Sequence, residues 1–432
     1  MKRISAAGRA TLQAFGKFVE EAPMPFYFLL ALLNSIAFIA GRFQLFFLFW
    51  IFLLLAFSIT LIRIRSIDCD NYSGTSLSIL SAAVVYLLFS GAGMTWDVAS
   101  FEFPKYYDLL AGTKGPYWTY ALLPPVFYGS SLSLGLLGIA TIYTYSLALF
   151  SLSFCELIHA GNGKNRLTKI TILSILLITL FNGIFHIGKG DLLAASFLNI
   201  ATTCAVSLCI SKKSRAKNNN LFLCETDPRE SLAILIIYAM LSFLSKTGTA
   251  LLAVPLILIS IIGFFMRLRS LGQTIFLSRN LKLLFAATFL SLIASLFIYF
   301  YEFYVHGLPG AVDLAIAEAG KNHSLIFSMS KFSDKLIRPG SLLMGEKLLS
   351  SLLIIFTSIL VVIFGLVRKM RYSHCGLPEK ILIGCLASTF VISIVSMPFA
   401  ALHPLGFGIG YSSENLRLIA QPSLALIILS LA

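Results

Sequence analysis

Long apolar runs, each bounded by charged or turn-forming residues, recur along the whole chain. The runs cover approximately 25–40, 43–62, 76–94, 126–152, 168–185, 191–210, 231–245, 247–266, 283–302, 349–367, 381–397 and 416–432. A hydrocarbon core of ~30 Å is crossed by about 20 apolar residues in helical form. Each run therefore reads as a transmembrane helix, about twelve in all. The seventh is short, and the last offers roughly 15 apolar residues after Arg417, barely enough to cross. No period-two alternation separated by turns appears, which argues against an outer-membrane barrel.

Composition agrees. Of 432 residues, 58% are hydrophobic and 12% charged, and the mean hydropathy is +0.88. Soluble domains carry about 25% charged residues, so a soluble globular protein is excluded. The expected fold is all-α, a polytopic transmembrane bundle forming a single domain over 1–432. A first external loop covers 95–125 and a long external loop 303–348.

The charges orient it. Cytoplasmic loops concentrate Lys and Arg, and 22 of the 33 such residues fall in one alternating set of segments. That set holds Lys2, Arg3, Arg9 and Lys17, then Arg63 and Arg65, and basic clusters near 164–169, 212–229, 267–282 and 368–380. The amino terminus is thus expected in the cytoplasm. The net charge of +14 follows from this bias, so no nucleic-acid partner is inferred. Residues 5–20 suit an amphipathic stretch on anionic lipid. The first apolar run lacks a small-residue cleavage site and reads as a retained helix. Cys69, Cys155, Cys224 and Cys375 fall in expected cytoplasmic connections and Cys204, Cys209 and Cys385 in the membrane. No disulfide framework or zinc spacing is implied.

Singular polar residues at span edges gather on the opposite, external side. They are Asp97 and Glu102 after the third span, Lys189 and Asp191 at the sixth, Lys246 between the seventh and eighth, and Glu414 and Arg417 at the last. Ionisable groups at membrane depth are costly and tend to pair or line a cavity, so one external site built from several connections is expected. The loop from Gly91 to Gly129 is too polar to span and is rich in Trp, Tyr and Phe, which suit the headgroup region. Phe103–Leu110 predicts a short interfacial helix with Pro104 in its first turn. Pro124-Pro125 is expected to end any helix before the next span. A carboxylate beneath such a helix suits either a general base acting on a hydroxyl or a metal ligand.

Four segments together resemble the bacterial GT-C membrane glycosyltransferases, the group that includes protein mannosyltransferases and aminoarabinose transferases. They are Trp96-Asp97-Val98-Ala99-Ser100-Phe101-Glu102-Phe103-Pro104, Gly190-Asp191-Leu192-Leu193-Ala194-Ala195, Leu244-Ser245-Lys246-Thr247-Gly248-Thr249-Ala250 and Glu414-Asn415-Leu416-Arg417-Leu418-Ile419-Ala420-Gln421-Pro422. Glu102 stands where His is common in that group, and Leu418 where Tyr often follows the Arg. The resemblance implies a GT-C bundle with interfacial helices in the first external loop. It implies transfer of a sugar from a polyprenyl-phosphate carrier to a glycan, lipid or protein acceptor on the outer side of a bacterial inner membrane. Asp97 would then be the base, with Glu102 beside it. Lys246 and Arg417 would bind phosphate, and Lys189, Asp191 and Glu414 would shape the sugar or acceptor pocket. A divalent metal stays open as cofactor, with Asp97 and Glu102 as candidate ligands. No phosphate-cradling P-loop and no His-Glu-x-x-His pair occurs.

Two other classes stay in view. An O-antigen polymerase or ligase would use a late external loop, where His323 and Arg338 lie. A secondary transporter or flippase would show broken helices and paired charges in related halves.

Overall fold

The computed structural model describes residues 23–67, 103–111, 123–160, 188, 190–209, 227–246, 249–271, 279–306 and 380–383. Among these the secondary structure is helical, with no strand. Among the described residues nine α-helices are defined: α1 (Pro23–Arg42), α2 (Phe46–Ile67), α3 (Phe103–Ala111), α4 (Leu123–Ser131), α5 (Gly135–Ala160), α6 (Asp191–Cys209), α7 (Pro228–Ser245), α8 (Ala250–Leu271) and α9 (Arg279–His306). Six apolar segments among the described residues are long enough to cross a membrane: Pro25–Arg42, Phe46–Arg65, Leu123–Leu157, Asp191–Cys209, Pro228–Ser245 and Lys282–Tyr301. The chain is an all-α integral membrane bundle. These six match the expected first, second, fourth, sixth, seventh and ninth spans, and α8 holds the eighth. The expected spans 76–94, 168–185, 349–367 and 416–432 lie outside the described residues, as does nearly all of 381–397.

At the centre stands α6, flanked by α5, α7 and α8, with every residue buried. Its small side chains allow close approach, the usual device where no water drives helices together. Gly263 of α8 meets Leu208 and Cys209 so closely that an added Cβ would lie 3.0 Å from the Cys209 sulfur. Burying so many hydroxyls would be costly if they were unpaired. Ser196, Thr202 and Thr203 avoid this by donating to carbonyls four residues back, Leu192, Leu198 and Asn199.

Pairwise contacts set the helix directions. Phe197 packs against Tyr238 at 5.8 Å and the Ser242 hydroxyl donates to the Ala194 carbonyl at 3.4 Å, so α6 and α7 are antiparallel. Tyr145 donates to Asn34 at 2.8 Å and Tyr27 to Glu156 at 2.8 Å, so α1 and α5 are also antiparallel. The Tyr238 hydroxyl donates to the Tyr27 carbonyl at 2.9 Å, joining α7 to α1. One end of the bundle therefore holds Arg42, Phe46, Gly135, Asp191 and Lys246, and the other holds Tyr27, Arg63 and Glu156.

The expected fourth span differs in detail. Pro124 and Pro125 open a helix, α4, where the missing N–H of each proline falls in the first turn and costs little. A 3-10 turn over Leu132–Leu134 follows, and Gly135 at φ +61° starts α5. Every α4 residue is buried. The helix packs against α1, α3 and α5, and Gly138 of α5 leaves no room for a Cβ beside the Ser131 carbonyl.

Candidate functional site

The site is built where α4, α6 and α7 converge. Gly188 adopts φ +84°, open to glycine without strain, and begins the turn that leads into α6. The Tyr106 hydroxyl of α3 donates to the Gly188 carbonyl. A second hydrogen bond links the Tyr128 hydroxyl of α4 to the Gly188 backbone. The two rings stack, with centroids 5.5 Å apart and planes 23° apart. Gly190 then passes between the Pro124 ring and the Ser245 carbonyl, and a Cβ would lie 3.0 Å from that oxygen and collide with the ring.

This turn delivers Asp191 as the first residue of α6. Its Oδ1 accepts from Lys246 Nζ, the residue directly after α7. A carboxylate at a helix start faces unsatisfied backbone N–H groups and the positive end of the dipole. Lys246 caps α7 in extended backbone, its N–H donating to Ser242 and its carbonyl accepting from the Thr249 N–H at 3.0 Å and hydroxyl at 2.8 Å. Asp191 is 9% exposed and Lys246 29%. The acid is enclosed while the ammonium stays reachable.

The pair lies at the same end of the bundle as the α1–α2 turn: Gly190 meets Pro124 at the start of α4, and Gly41 near the end of α1 meets Val126 and Ser130 of the same helix.

Sequence reasoning placed Lys246 and Asp191 in separate connections feeding one site, and the structure brings them into contact. Asp97, Glu102, Lys189, Glu414 and Arg417 lie outside the described residues, as do His323 and Arg338. The expected short helix Phe103–Leu110 is present as α3, Phe103–Ala111, with Tyr106 buried and Tyr107 exposed. Among the described residues no group of three or more His, Cys, Asp or Glu side chains gathers. The candidate metal ligands Asp97 and Glu102 lie outside that set.

A second charged cluster was not anticipated. Arg63, expected in a cytoplasmic connection, is wholly buried within α2, 3.8 Å from Glu156 of α5, itself wholly buried. Tyr27 donates to the same carboxylate, and the Arg63 guanidinium lies over the Phe26 ring at 5.7 Å. Cys155, also expected in a connection, is buried inside α5. In both cases the helix runs further than the apolar stretch, since one Arg, Cys or Glu facing neighbouring helices does not end it.

The fold and the two charge pairs define a polytopic helical membrane protein with a partly enclosed ion pair at one end. No protein family, curated protein or solved structure matches the chain.

Proposed function

We propose that the protein is a membrane glycosyltransferase of the GT-C type. It moves a sugar from a polyprenyl-phosphate carrier to an acceptor on the extracytoplasmic face of a bacterial inner membrane. The observation that carries this reading is the Asp191–Lys246 pair. Two motif residues 55 positions apart meet near the turn that α3 contacts through Tyr106, at the bundle end opposite Arg63 and Glu156. An anionic leaving group needs positive charge already in place. Lys246 supplies it, held by Asp191 until a phosphate competes for the ammonium, and Arg417 adds a second, bidentate-capable cation. Asp97 takes the proton of the acceptor hydroxyl. The acceptor oxygen attacks the anomeric carbon, the bond from that carbon to the phosphate oxygen breaks with inversion, and polyprenyl phosphate leaves with the electron pair. Glu102 orients the acceptor or binds a metal ion there, and Lys189, Asp191 and Glu414 shape the sugar pocket.

Native mass spectrometry of the protein with added polyprenyl phosphate tests the assignment of Lys246. Wild type and Lys246→Arg should retain the lipid, and Lys246→Met should lose at least about tenfold in affinity, the worth of one charge-assisted contact. Equal retention by Lys246→Met would remove the ammonium from donor binding.

A further inference from the structure

We infer that Tyr106 is a positioning residue. Its hydroxyl registers the interfacial helix α3 on the turn that presents Asp191 to Lys246. The inference deepens the glycosyltransferase reading and rests on it for the identity of the reaction, but the contact itself stands on geometry. Tyr106 is 1% exposed and its hydroxyl donates to the Gly188 carbonyl, three residues before Asp191. That carbonyl belongs to a glycine in the left-handed region at φ +84°. Tyr128 holds the same glycine from α4 and stacks on the Tyr106 ring. Gly190, the next described residue, has no lateral freedom between Pro124 and the Ser245 carbonyl.

The consequence is mechanical. α3 continues directly from the segment carrying Asp97 and Glu102. One hydroxyl therefore ties the helix that follows the candidate base to the turn that places the sugar-side acid. Movement of α3 would pull Gly188 and with it the first turn of α6, where the Ala194 N–H donates to the Gly190 carbonyl at 2.9 Å. A Phe at position 106 keeps the stack on Tyr128 and removes only the hydroxyl. This separates a hydrogen-bonded latch from simple packing.

The test is hydrogen–deuterium exchange of the full chain in lipid nanodiscs, comparing wild type, Tyr106→Phe and Tyr106→Ala. Loss of one buried hydrogen bond weakens local closure by about fivefold. Peptides covering 190–194 should exchange about fivefold faster in Tyr106→Phe, while peptides of α9 keep the wild-type rate. Unchanged exchange at 190–194 in Tyr106→Phe overturns the latch, and acceleration in Tyr106→Ala alone would assign Tyr106 to packing. Transfer kinetics in parallel separate the two claims. With active wild type, Tyr106→Phe should lower kcat several-fold with KM little changed. A wild type that transfers nothing counts against the glycosyltransferase reading, while exchange still decides the latch.

Discussion

Glu156 and Arg63 form an ion pair whose both side chains are 0% exposed, and that burial fixes what neutralising either one should do. Glu156→Gln keeps an acceptor for the Tyr27 hydroxyl, now 2.8 Å from the carboxylate, but leaves the guanidinium without this counter-charge. Arg63→Met leaves the carboxylate in the complementary position. Breaking a buried pair from one side costs about 3–5 kcal/mol, because a desolvated charge loses its compensation. Removing both charges together is far milder, since the attraction and the two desolvation costs disappear at once. For a chain of this length roughly 1–2 °C of melting temperature corresponds to 1 kcal/mol, by extension of the scaling for smaller domains. Each single variant should therefore lower the apparent Tm by on the order of 5 °C. Arg63→Met/Glu156→Gln should recover more than half of that loss. The assay is thermal unfolding of purified protein in one detergent, followed by tryptophan fluorescence and by aggregation. A double variant that loses the sum of the two single losses would show that the charges do not compensate each other. Silent single variants would show that they are not buried as a pair.

Two glycines make contrasting predictions. Gly190→Ala drives a Cβ into the Pro124 ring, which cannot rotate away, and toward the Ser245 carbonyl; it should destabilise by about 1–3 kcal/mol and disturb the Asp191–Lys246 contact, read as a Tm loss together with weaker polyprenyl-phosphate retention. Gly135→Ala meets no neighbour within 4 Å but forces a side chain into backbone at φ +61°, ψ −141°; it should cost about 1–3 kcal/mol in strain while retention of the lipid stays at the wild-type level.

Where apolar runs were continuous and flanked by charge, the helices were legible from the chain alone. α1, α2, α6 and α9 fall within a few residues of their expected positions. Hydropathy rises at 231, where the seventh span is expected to start, yet α7 begins at Pro228. The reason is local: Asp227 caps it, accepting from the Arg229 N–H at 2.9 Å, and Pro228 opens its first turn, a cap signal visible in Asp-Pro-Arg-Glu. The proline pair at 124–125 stands in the first turn of α4, where prolines begin helices well; any helix it would end lies at 112–122, outside the described residues.

For the candidate site, the identity of Asp191 and Lys246 was legible and their contact was not, because pairing across 55 residues depends on how α6 and α7 pack. Tyr106 and Tyr128 carried no signal separating them from the other interfacial aromatics of the first external loop. Arg63 read as one more basic topology residue, and Glu156 falls beyond the end of the expected fourth span, where an acid reads as an ordinary connection residue. A lone acid and a lone base on different helices acquire meaning only when the fold sets them face to face.

Turnover itself bears hardest on the proposed function. Wild type and Asp97→Asn, reconstituted in proteoliposomes and matched for Tm, would be given a panel of radiolabelled polyprenyl-phosphate sugars with a membrane extract as acceptor source. Wild type should release sugar from at least one carrier to acceptor, and Asp97→Asn should be slower by about a hundredfold or more, the usual contribution of a positioned general base. Folded wild type that neither binds polyprenyl phosphate nor turns over any member of the panel would contradict the glycosyltransferase assignment, and full activity in Asp97→Asn would contradict the base.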